Sequence, residues 1–295
     1  MAVTIKPIHP AFAGEVSGVD LSKPISRDDA NAIDAGMNRY AVLVFHGQDI
    51  TDEQQIAFSK NFGALEAKSR PGTIRKAADN RLGPGIGDLS NLDKQGKIIS
   101  ADDRQWFFKL GDRLWHSDSS YAEVPAKYSL LSGRVVPSWG GNTEFADMRA
   151  AYDALDARTK AEIEDLVCEH SLLYSRGAIG FTEFTPEEIE NFRPVRQRLV
   201  RVHPATGRKS LFLASHAGAI VGWSIPEARA FLRELTEHAT QREFVYSHAW
   251  RQYDLVIWDN RATMHRACRF DRNEVRDMRR TTLAGDGPTV EQVAA

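Results

Sequence analysis

The feature that most constrains the fold is a set of three polar residues that lie far apart in the chain. His116 and Asp118 are two residues apart in the run 114–120, which reads as a short extended segment. Because side chains alternate between the two faces of a strand, these two point the same way. His265 comes far downstream, after the apolar run 254–258. A fold that unites the three must bring two distant segments side by side.

Two imidazoles and one carboxylate form a ligand set for a divalent metal. Such a set leaves coordination positions open and is typical of non-haem Fe(II) oxygenases, whose co-substrate and O2 need those positions. The pattern His-x-Asp is common by itself, and a surface polar pair explains it equally well. The prediction that His116, Asp118 and His265 bind a metal therefore depends on further features of the sequence.

Two such features fit a site for an anionic co-substrate. Residues 140–143 read Gly-Gly-Asn-Thr, and three arginines follow the last histidine of the set: Arg276, Arg279 and Arg280. A guanidinium offers a carboxylate two parallel hydrogen bonds. Three arginines so close together are also typical of a solvated edge, and a surface ion pair of Arg276 with Glu274 or Asp277 is the alternative.

Together these runs resemble the TauD/TfdA family of Fe(II)/2-oxoglutarate dioxygenases. The resemblance covers nearly the whole chain, from residues 18–21 to 279–282. Residues 115–120, 143–155 and 238–246 resemble the branch of the family that cleaves 2,4-dichlorophenoxyacetate more than the taurine branch.

The order of elements predicts the fold class. Many short strands at uneven spacing, with helical insertions, favour an antiparallel two-sheet barrel over alternating β-α units. The resemblance implies a mainly β fold, a double-stranded β-helix or jelly roll, in a single domain over residues 1–295. Residues 64–112 lose periodicity, which predicts an active-site lid or, alternatively, a surface insertion. We expect residues 106–108 to be its ordered part.

Capping residues predict where several helices begin. Ser26, Thr51 and Asp147 each precede a helical pattern and offer a side-chain oxygen to its first turn. A further helix is predicted over residues 159–168, and an extended segment over residues 170–175.

The resemblance also implies roles for the residues around the metal. Thr143 and Arg276 would bind the far carboxylate of 2-oxoglutarate, and Arg280 would bind an anionic group of the substrate. Arg279 would face the other side of its strand and be structural.

Three more residues are candidate substrate contacts: His216, Lys68 and Asp112. Lys68 lies in the predicted lid, together with Arg70. His216 is equally well explained as a buried histidine with an internal partner. Asp112 stands where family members often carry asparagine. A carboxylate there would repel an anionic substrate, so either Asp112 turns away or the substrate differs.

The resemblance implies the chemistry as well. Fe(II), 2-oxoglutarate and O2 would be used, with ascorbate as a reductant in vitro. An aryloxyalkanoate such as 2,4-dichlorophenoxyacetate would be hydroxylated next to its ether oxygen, which gives a phenol and glyoxylate together with succinate and CO2. Alternatives are an alkyl sulfonate, a sulfate ester or a natural aromatic acid as substrate. A 2-oxoglutarate-binding sensor and a zinc hydrolase are alternatives of a different class.

Composition limits the partners and the compartment. The chain has 38 basic and 40 acidic residues and a net charge of -2, which does not favour a nucleic acid or a membrane as partner. No signal peptide or apolar run of about 18 residues is visible. Two cysteines do not make a disulfide framework, which favours the reducing cytoplasm. We expect a small anionic substrate and a homo-oligomer.

Overall fold

The structure, a computed structural model, describes residues 3–67 and 72–292, so Lys68 and Arg70 of the predicted lid lie outside the described residues. Short strands dominate this part of the chain: β1 (Thr4–Pro7), β2 (Gly14–Ser17), β3 (Val42–Phe45), β4 (Gly87–Asp88), β5 (Tyr128–Val135), β6 (Thr143–Asp147), β7 (Val167–His170), β8 (Val195–Arg198), β9 (Val200–Val202), β10 (Lys209–Leu211), β11 (Ala217–Ile220), β12 (Val245–His248), β13 (Leu255–Asp259), β14 (Thr263–Ala267) and β15 (Asp277–Thr282).

Helices lie between the strands: α1 (Arg27–Tyr40), α2 (Asp52–Ser59), α3 (Arg104–Lys109), α4 (Met148–Ala154), α5 (Ala157–Ile163), α6 (Leu172–Gly177), α7 (Pro186–Asn191) and α8 (Ile225–Ala239). Four short 3-10 helices add to them: Lys60–Phe62, Ala77–Asp79, Leu110–Arg113 and Arg242–Phe244. Among the described residues, no helix is long and apolar enough to cross a membrane.

The largest sheet has seven strands in the order β1-β2-β3-β13-β5-β15-β4. All neighbours in it are antiparallel except β2 and β3, which are parallel. β13 lies at its centre and is buried along its whole length. A strand covered on both faces needs a continuous apolar sequence, and Leu-Val-Ile-Trp meets that need.

Alternate residues of the central strands pack against different layers. On β3, Leu43 and Phe45 face a core that includes α1 and α2, whereas Val42 and Val44 face a second core. That second core contains Phe145 of β6, whose ring lies 5.5 Å from the ring of Trp258. β6 is the middle strand of a three-stranded sheet, β12-β6-β14. The large sheet is thus covered by helices on one face and by a small antiparallel sheet on the other.

The capping predictions for three helices are confirmed. Ser26 accepts a hydrogen bond from the backbone of Asp29, and Thr51 forms a capping box with Gln54. Asp147 accepts from the first backbone N–H groups of α4. Each cap occupies a donor that the first helical turn leaves without an intrahelical partner.

Two local predictions are wrong. The helix expected over residues 159–168 begins earlier, because Asp156 caps it, and it ends at Ile163. Cys168 instead lies in β7, which pairs with β8 and β11. Residues 170–175 are not extended, because Ser171 caps helix α6. In both places tertiary pairing and a local cap outweigh the apolar pattern.

The predicted lid region is tied to the edge of the large sheet. Its strand β4 pairs with β15 at that edge. Arg81 contacts Asp88 of β4 at 3.1 Å and Asp277 of β15 at 2.7 Å. Residues 106–108 form part of α3, which confirms that they are ordered.

The turn between β13 and β14 is held by one buried carboxylate. Asp259 accepts hydrogen bonds from the backbone and the guanidinium of Arg261. It also contacts Nε2 of His203 at 3.0 Å. Burial alone would raise the pKa of Asp259, but His203 and Arg261 outweigh burial and hold the pKa below its usual value. The ionised carboxylate of Asp259 thus stabilises the turn that leads into β14, the strand that carries His265.

Asp259→Asn should therefore destabilise the protein. It removes one partner of a buried ion pair and leaves Arg261 short of a counter-charge, so we expect the free energy of unfolding to fall by about 3–5 kcal/mol. Urea unfolding measures this. Asp165→Asn is the matched control, because Asp165 pairs with Arg198 on the surface with 92% of its side chain exposed. Equal effects of the two substitutions would contradict the role given to Asp259.

Candidate metal centre

Two backbone hydrogen bonds bring the two distant histidines together. The N–H of His116 donates to the carbonyl of His265 at 2.9 Å, and the N–H of His265 donates to the carbonyl of His116 at 2.8 Å. This bridge is isolated, because His116 belongs to no longer strand and Asp118 begins a turn. The extended run predicted around His116 thus reduces to one bridged residue, and the side-by-side placement is still achieved.

The three predicted ligands converge in a buried site. One potential ligand atom of each of His116, Asp118 and His265 lies within 4.8 Å of those of the other two. Nε2 of His265 is 3.8 Å from Oδ2 of Asp118, and the two imidazole rings are 4.2 Å apart. Two nitrogen donors and one carboxylate oxygen this close together match the ligand set of non-haem Fe(II) enzymes.

Hydrogen bonding fixes which imidazole nitrogens can bind a metal. Nδ1 of His116 lies 2.7 Å from the carbonyl of Leu114, which can only accept, so Nδ1 carries a proton and Nε2 is the nitrogen left to bind a metal. Burial, and next the neighbouring His116, lower the pKa of His265 well below its ordinary value. A neutral His265 and the Nε2 atom of His116 are therefore suited to bind a metal.

Asp118 is oriented by a small polar network. Ser129 donates to its Oδ2 at 2.7 Å, and the backbone N–H of Asp118 donates to Oδ1 of Asn260 at 3.1 Å. The amide of Asn260 donates in turn to Ser129 at 3.0 Å. Such contacts orient ligating groups around metals. Sequence reasoning did not single out Ser129, although a polar residue in the apolar strand β5 was a signal.

Arg280 contacts a candidate metal ligand. Its Nη1 donates to Oδ1 of Asp118 at 2.6 Å. Burial would raise the pKa of Asp118, but Arg280 and the two imidazoles outweigh burial and lower it. Asp118 is therefore ionised, as metal binding requires. Arg280 also lines the cavity described next. It therefore borders the space predicted for the substrate and at the same time pairs with Asp118.

A cavity of about 420 Å³ opens beside the three residues. Six of the predicted site residues line it: His116, Asp118, Asp112, His216, Arg276 and Arg280. His265 is not among its described lining residues, and neither is Thr143. The hydroxyl of Thr143 accepts a hydrogen bond from Nε1 of Trp250 at 3.0 Å, at the start of β6. The structure thus brings most, but not all, of the predicted residues to one space.

Arg276 is buried and has no carboxylate partner among the described residues. Its Nη1 donates to the carbonyl of Leu89 at 3.2 Å. Glu274 and Asp277 contact other groups, so the alternative of a surface ion pair is wrong. Burial lowers the pKa of Arg276 to about 10. The charge of Asp112 raises this pKa and the charge of Arg113 lowers it by less, so Arg276 stays cationic at neutral pH.

Asp112 and His216 border the same space. Asp112 pairs with the buried guanidinium of Arg176 at 3.0 Å, which compensates its charge. Nδ1 of His216 lies 2.9 Å from the hydroxyl of Ser175, so this histidine has an internal partner and also faces the cavity. Burial, and next Arg176, lower the pKa of His216 well below its ordinary value.

Comparison with known proteins agrees with this geometry. The profile of the family described as "Taurine catabolism dioxygenase TauD, TfdA family" matches residues 4–282. An alpha-ketoglutarate-dependent 2,4-dichlorophenoxyacetate dioxygenase of Cupriavidus pinatubonensis is 43% identical, over 97% of this chain and 99% of that protein. An (S)-phenoxypropionate/alpha-ketoglutarate-dioxygenase of Sphingobium herbicidovorans is 39% identical, over 97% and 96%.

A solved structure is also similar along its whole length. The crystal structure of AAD-2 in complex with Mn(II) and N-oxalylglycine has a TM-score of 0.96 and 60% sequence identity, and covers 98% of this chain and 100% of that one.

Ser129→Ala should weaken metal binding without touching a ligand. It removes the hydrogen bond that holds Oδ2 of Asp118, and the loss of such a contact lowers metal affinity by about 10- to 100-fold. Titration of the protein with Mn(II) measures the Kd. Ser132→Ala is the matched control, because Ser132 lies on the same strand and donates to Gln55 instead. A Kd unchanged in Ser129→Ala would contradict the proposed orientation of Asp118.

Proposed function

The chain belongs to the TauD/TfdA family and is a 2-oxoglutarate-dependent dioxygenase, and we propose that it hydroxylates aryloxyalkanoates next to their ether oxygen. One observation carries the proposal: a His-Asp-His centre borders a cavity through His116 and Asp118, and a buried arginine without a carboxylate partner among the described residues lines the same cavity. Such a cavity suits a metal and a dicarboxylate together. The relatives that act on 2,4-dichlorophenoxyacetate and phenoxypropionate support the class of substrate.

We propose His116, Asp118 and His265 as the ligands of Fe(II). The two imidazoles and the ionised carboxylate fit that metal, and the three side chains are nearly buried. When bound, Fe(II) with 2-oxoglutarate and O2 supplies the oxidation of a C–H bond, coupled to the release of succinate and CO2. The protein has to orient the reactants and keep water from the metal.

Arg276 is proposed to bind the far carboxylate of 2-oxoglutarate. Its burial and its missing counter-charge support this role, because a buried cation gains most from a charged partner. Thr143 is proposed as a second contact of the same carboxylate. Its hydroxyl accepts from Trp250 and keeps its own proton to donate.

The substrate is proposed to lie on the side of the cavity that His216 borders. Three apolar or aromatic side chains, Phe108, Tyr121 and Leu172, line the cavity and would suit an aryl ring. Arg280 and His216 are proposed to contact the carboxylate of the substrate. The ion pair of Asp112 with Arg176 removes the repulsion that a lone carboxylate would exert on an anion.

Hydroxylation at the carbon between the ether oxygen and the carboxylate determines the products. One oxygen atom of O2 enters the substrate and the other enters succinate. The hydroxylated carbon is a hemiacetal, which splits into a phenol and glyoxylate when the substrate is an aryloxyacetate. The chain therefore only has to place that carbon near the metal.

Several coarser features support further proposals. Membership of the family supports a jelly-roll fold in a single domain. Residues 64–112 are proposed as a lid, because several described residues between Gly72 and Asp112 line the cavity. Cys168 and Cys268 are free thiols, which suits a reducing compartment such as the cytoplasm. A homo-oligomer is also proposed, and its mass in solution tests it.

The assay that tests the function measures succinate and phenol. Protein with Fe(II), ascorbate, 2-oxoglutarate and O2 is given phenoxyacetates, 2-phenoxypropionates, cinnamates, taurine and alkyl sulfates. We expect phenoxyacetates to yield succinate and free phenol in equal amounts. If only sulfonates or sulfate esters lead to succinate, the proposed aryloxyalkanoate substrate is wrong and the 2-oxoglutarate-dependent oxidation still stands.

Arg276→Ala is the variant that separates classes of function. The substitution removes a charge-assisted pair worth about 1.5–3 kcal/mol, so the Kd of 2-oxoglutarate should rise by about 10- to 150-fold. A zinc hydrolase would not need Arg276 and would keep its activity. A sensor would bind 2-oxoglutarate and form no succinate with any substrate.

A further inference from the structure

The carboxylates in the cavity wall all have cationic partners. Three acidic side chains belong to the described wall, and their ion pairs are Asp88 with Arg75 at 3.0 Å, Asp112 with Arg176 at 3.0 Å and Asp118 with Arg280 at 2.6 Å. These three carboxylates are therefore already paired, and none of them is left to pair with the other cations of the described wall.

Within residues 3–67 and 72–292, three cations of the wall have no carboxylate partner: Lys109, Arg113 and Arg276. Lys109 donates to the carbonyl of Ser90 at 2.7 Å. Arg276 donates to a single carbonyl, that of Leu89. No hydrogen bond or ion pair joins the side chain of Arg113 to another residue in the described part of the chain. The half-buried guanidinium of Arg113 is thus the least satisfied charge in the cavity.

Arg113 and Arg276 lie at the same end of the cavity. Arg113 ends the 3-10 helix Leu110–Arg113, which packs against β14. The charge of Arg113 contributes to the lowered pKa of Arg276, so the two guanidinium groups act on each other. The guanidinium of Arg276 lies 5.5 Å from the ring of Phe270, just beyond the end of β14. Asp112, the neighbour of Arg113, forms its ion pair with Arg176 and acts on Arg276 only through its charge, which raises the pKa of Arg276.

Two cations in this position favour one particular ligand. Partly buried charges of the same sign cost free energy until an anion lies between them. A carboxylate has two oxygens and about four lone-pair positions, so it can accept hydrogen bonds from two guanidinium groups at once. If the far carboxylate of 2-oxoglutarate binds Arg276, the guanidinium of Arg113 can therefore serve as its second hydrogen-bond donor.

We propose that Arg113 is a second arginine for the far carboxylate of 2-oxoglutarate, which it shares with Arg276. This inference rests on the proposed role of Arg276. Arg113 raises the affinity for the co-substrate and the preference for a dicarboxylate over a 2-oxo acid with one carboxylate. It has no part in holding the aryloxyalkanoate, which lies toward His216.

The test compares two ligands that differ only in the far carboxylate. The Kd of 2-oxoglutarate and of 2-oxopentanoate is measured with Mn(II) in place of Fe(II), so that no turnover occurs. In Arg113→Gln we expect the Kd of 2-oxoglutarate to rise about tenfold, as for a lost charged hydrogen bond, and the Kd of 2-oxopentanoate to change less than about twofold. Arg113→Lys, which keeps the charge, should recover part of the affinity.

Arg269→Gln is the matched control. Arg269 lies near Arg113 and carries the same charge, but its side chain is exposed and does not line the cavity. We expect it to change neither Kd by more than about twofold, because exposed charges are screened. An unchanged Kd for 2-oxoglutarate in Arg113→Gln, or an equal rise for both ligands, would overturn the inference.

Two further readings separate this inference from the proposed function. Suppose that the unaltered protein forms no phenol from phenoxyacetates, yet Arg113→Gln raises the Kd of 2-oxoglutarate and not that of 2-oxopentanoate. The role of Arg113 then holds, and the proposed substrate is wrong. If Arg113→Gln raises the KM of the phenoxyacetate and leaves the Kd of 2-oxoglutarate unchanged, Arg113 serves the substrate and the inference is wrong.

Discussion

The candidate site depends on two backbone hydrogen bonds between His116 and His265, at 2.9 and 2.8 Å. An antiparallel bridge places the side chains of the paired residues next to each other, and here their rings are 4.2 Å apart. The bridge forms because β13, at the centre of the large sheet, leads into a turn that Asp259 holds. The metal-binding geometry is therefore a consequence of strand order, and the polar side chains complete it.

Charge determines what the cavity next to this bridge can hold. Each acid in its described wall is paired with an arginine, whereas Lys109, Arg113 and Arg276 form no ion pair with any carboxylate that the structure describes. In the proposed arrangement, the far carboxylate of 2-oxoglutarate supplies the missing charge at one end, and the 2-oxo acid end is left for the metal. Asp112, which looked unfavourable for an anionic substrate, is compensated by Arg176. The wall thus combines a positive end with an aromatic side, and both properties fit the proposed reaction of this TauD/TfdA family member.

Much of this arrangement could be predicted from the sequence. The convergence of His116, Asp118 and His265 was predicted from residue type and family resemblance, and the caps at Ser26, Thr51 and Asp147 followed from local rules. The helix expected through Cys168 failed because pairing of β7 with two other strands is a tertiary effect that periodicity does not contain. The pairing of Arg280 with Asp118 and the missing partner of Arg113 depend on contacts between distant segments. No local pattern encodes such contacts, so only the structure could supply them.

A crystal structure of this protein with Mn(II) and 2-oxoglutarate would test the central claim most directly. The account predicts a metal bonded to one imidazole nitrogen of His116, one of His265 and an oxygen of Asp118. It also predicts the far carboxylate of 2-oxoglutarate in contact with the guanidinium of Arg276. A metal held by other residues, or a far carboxylate at His216 with Arg276 untouched, would contradict it.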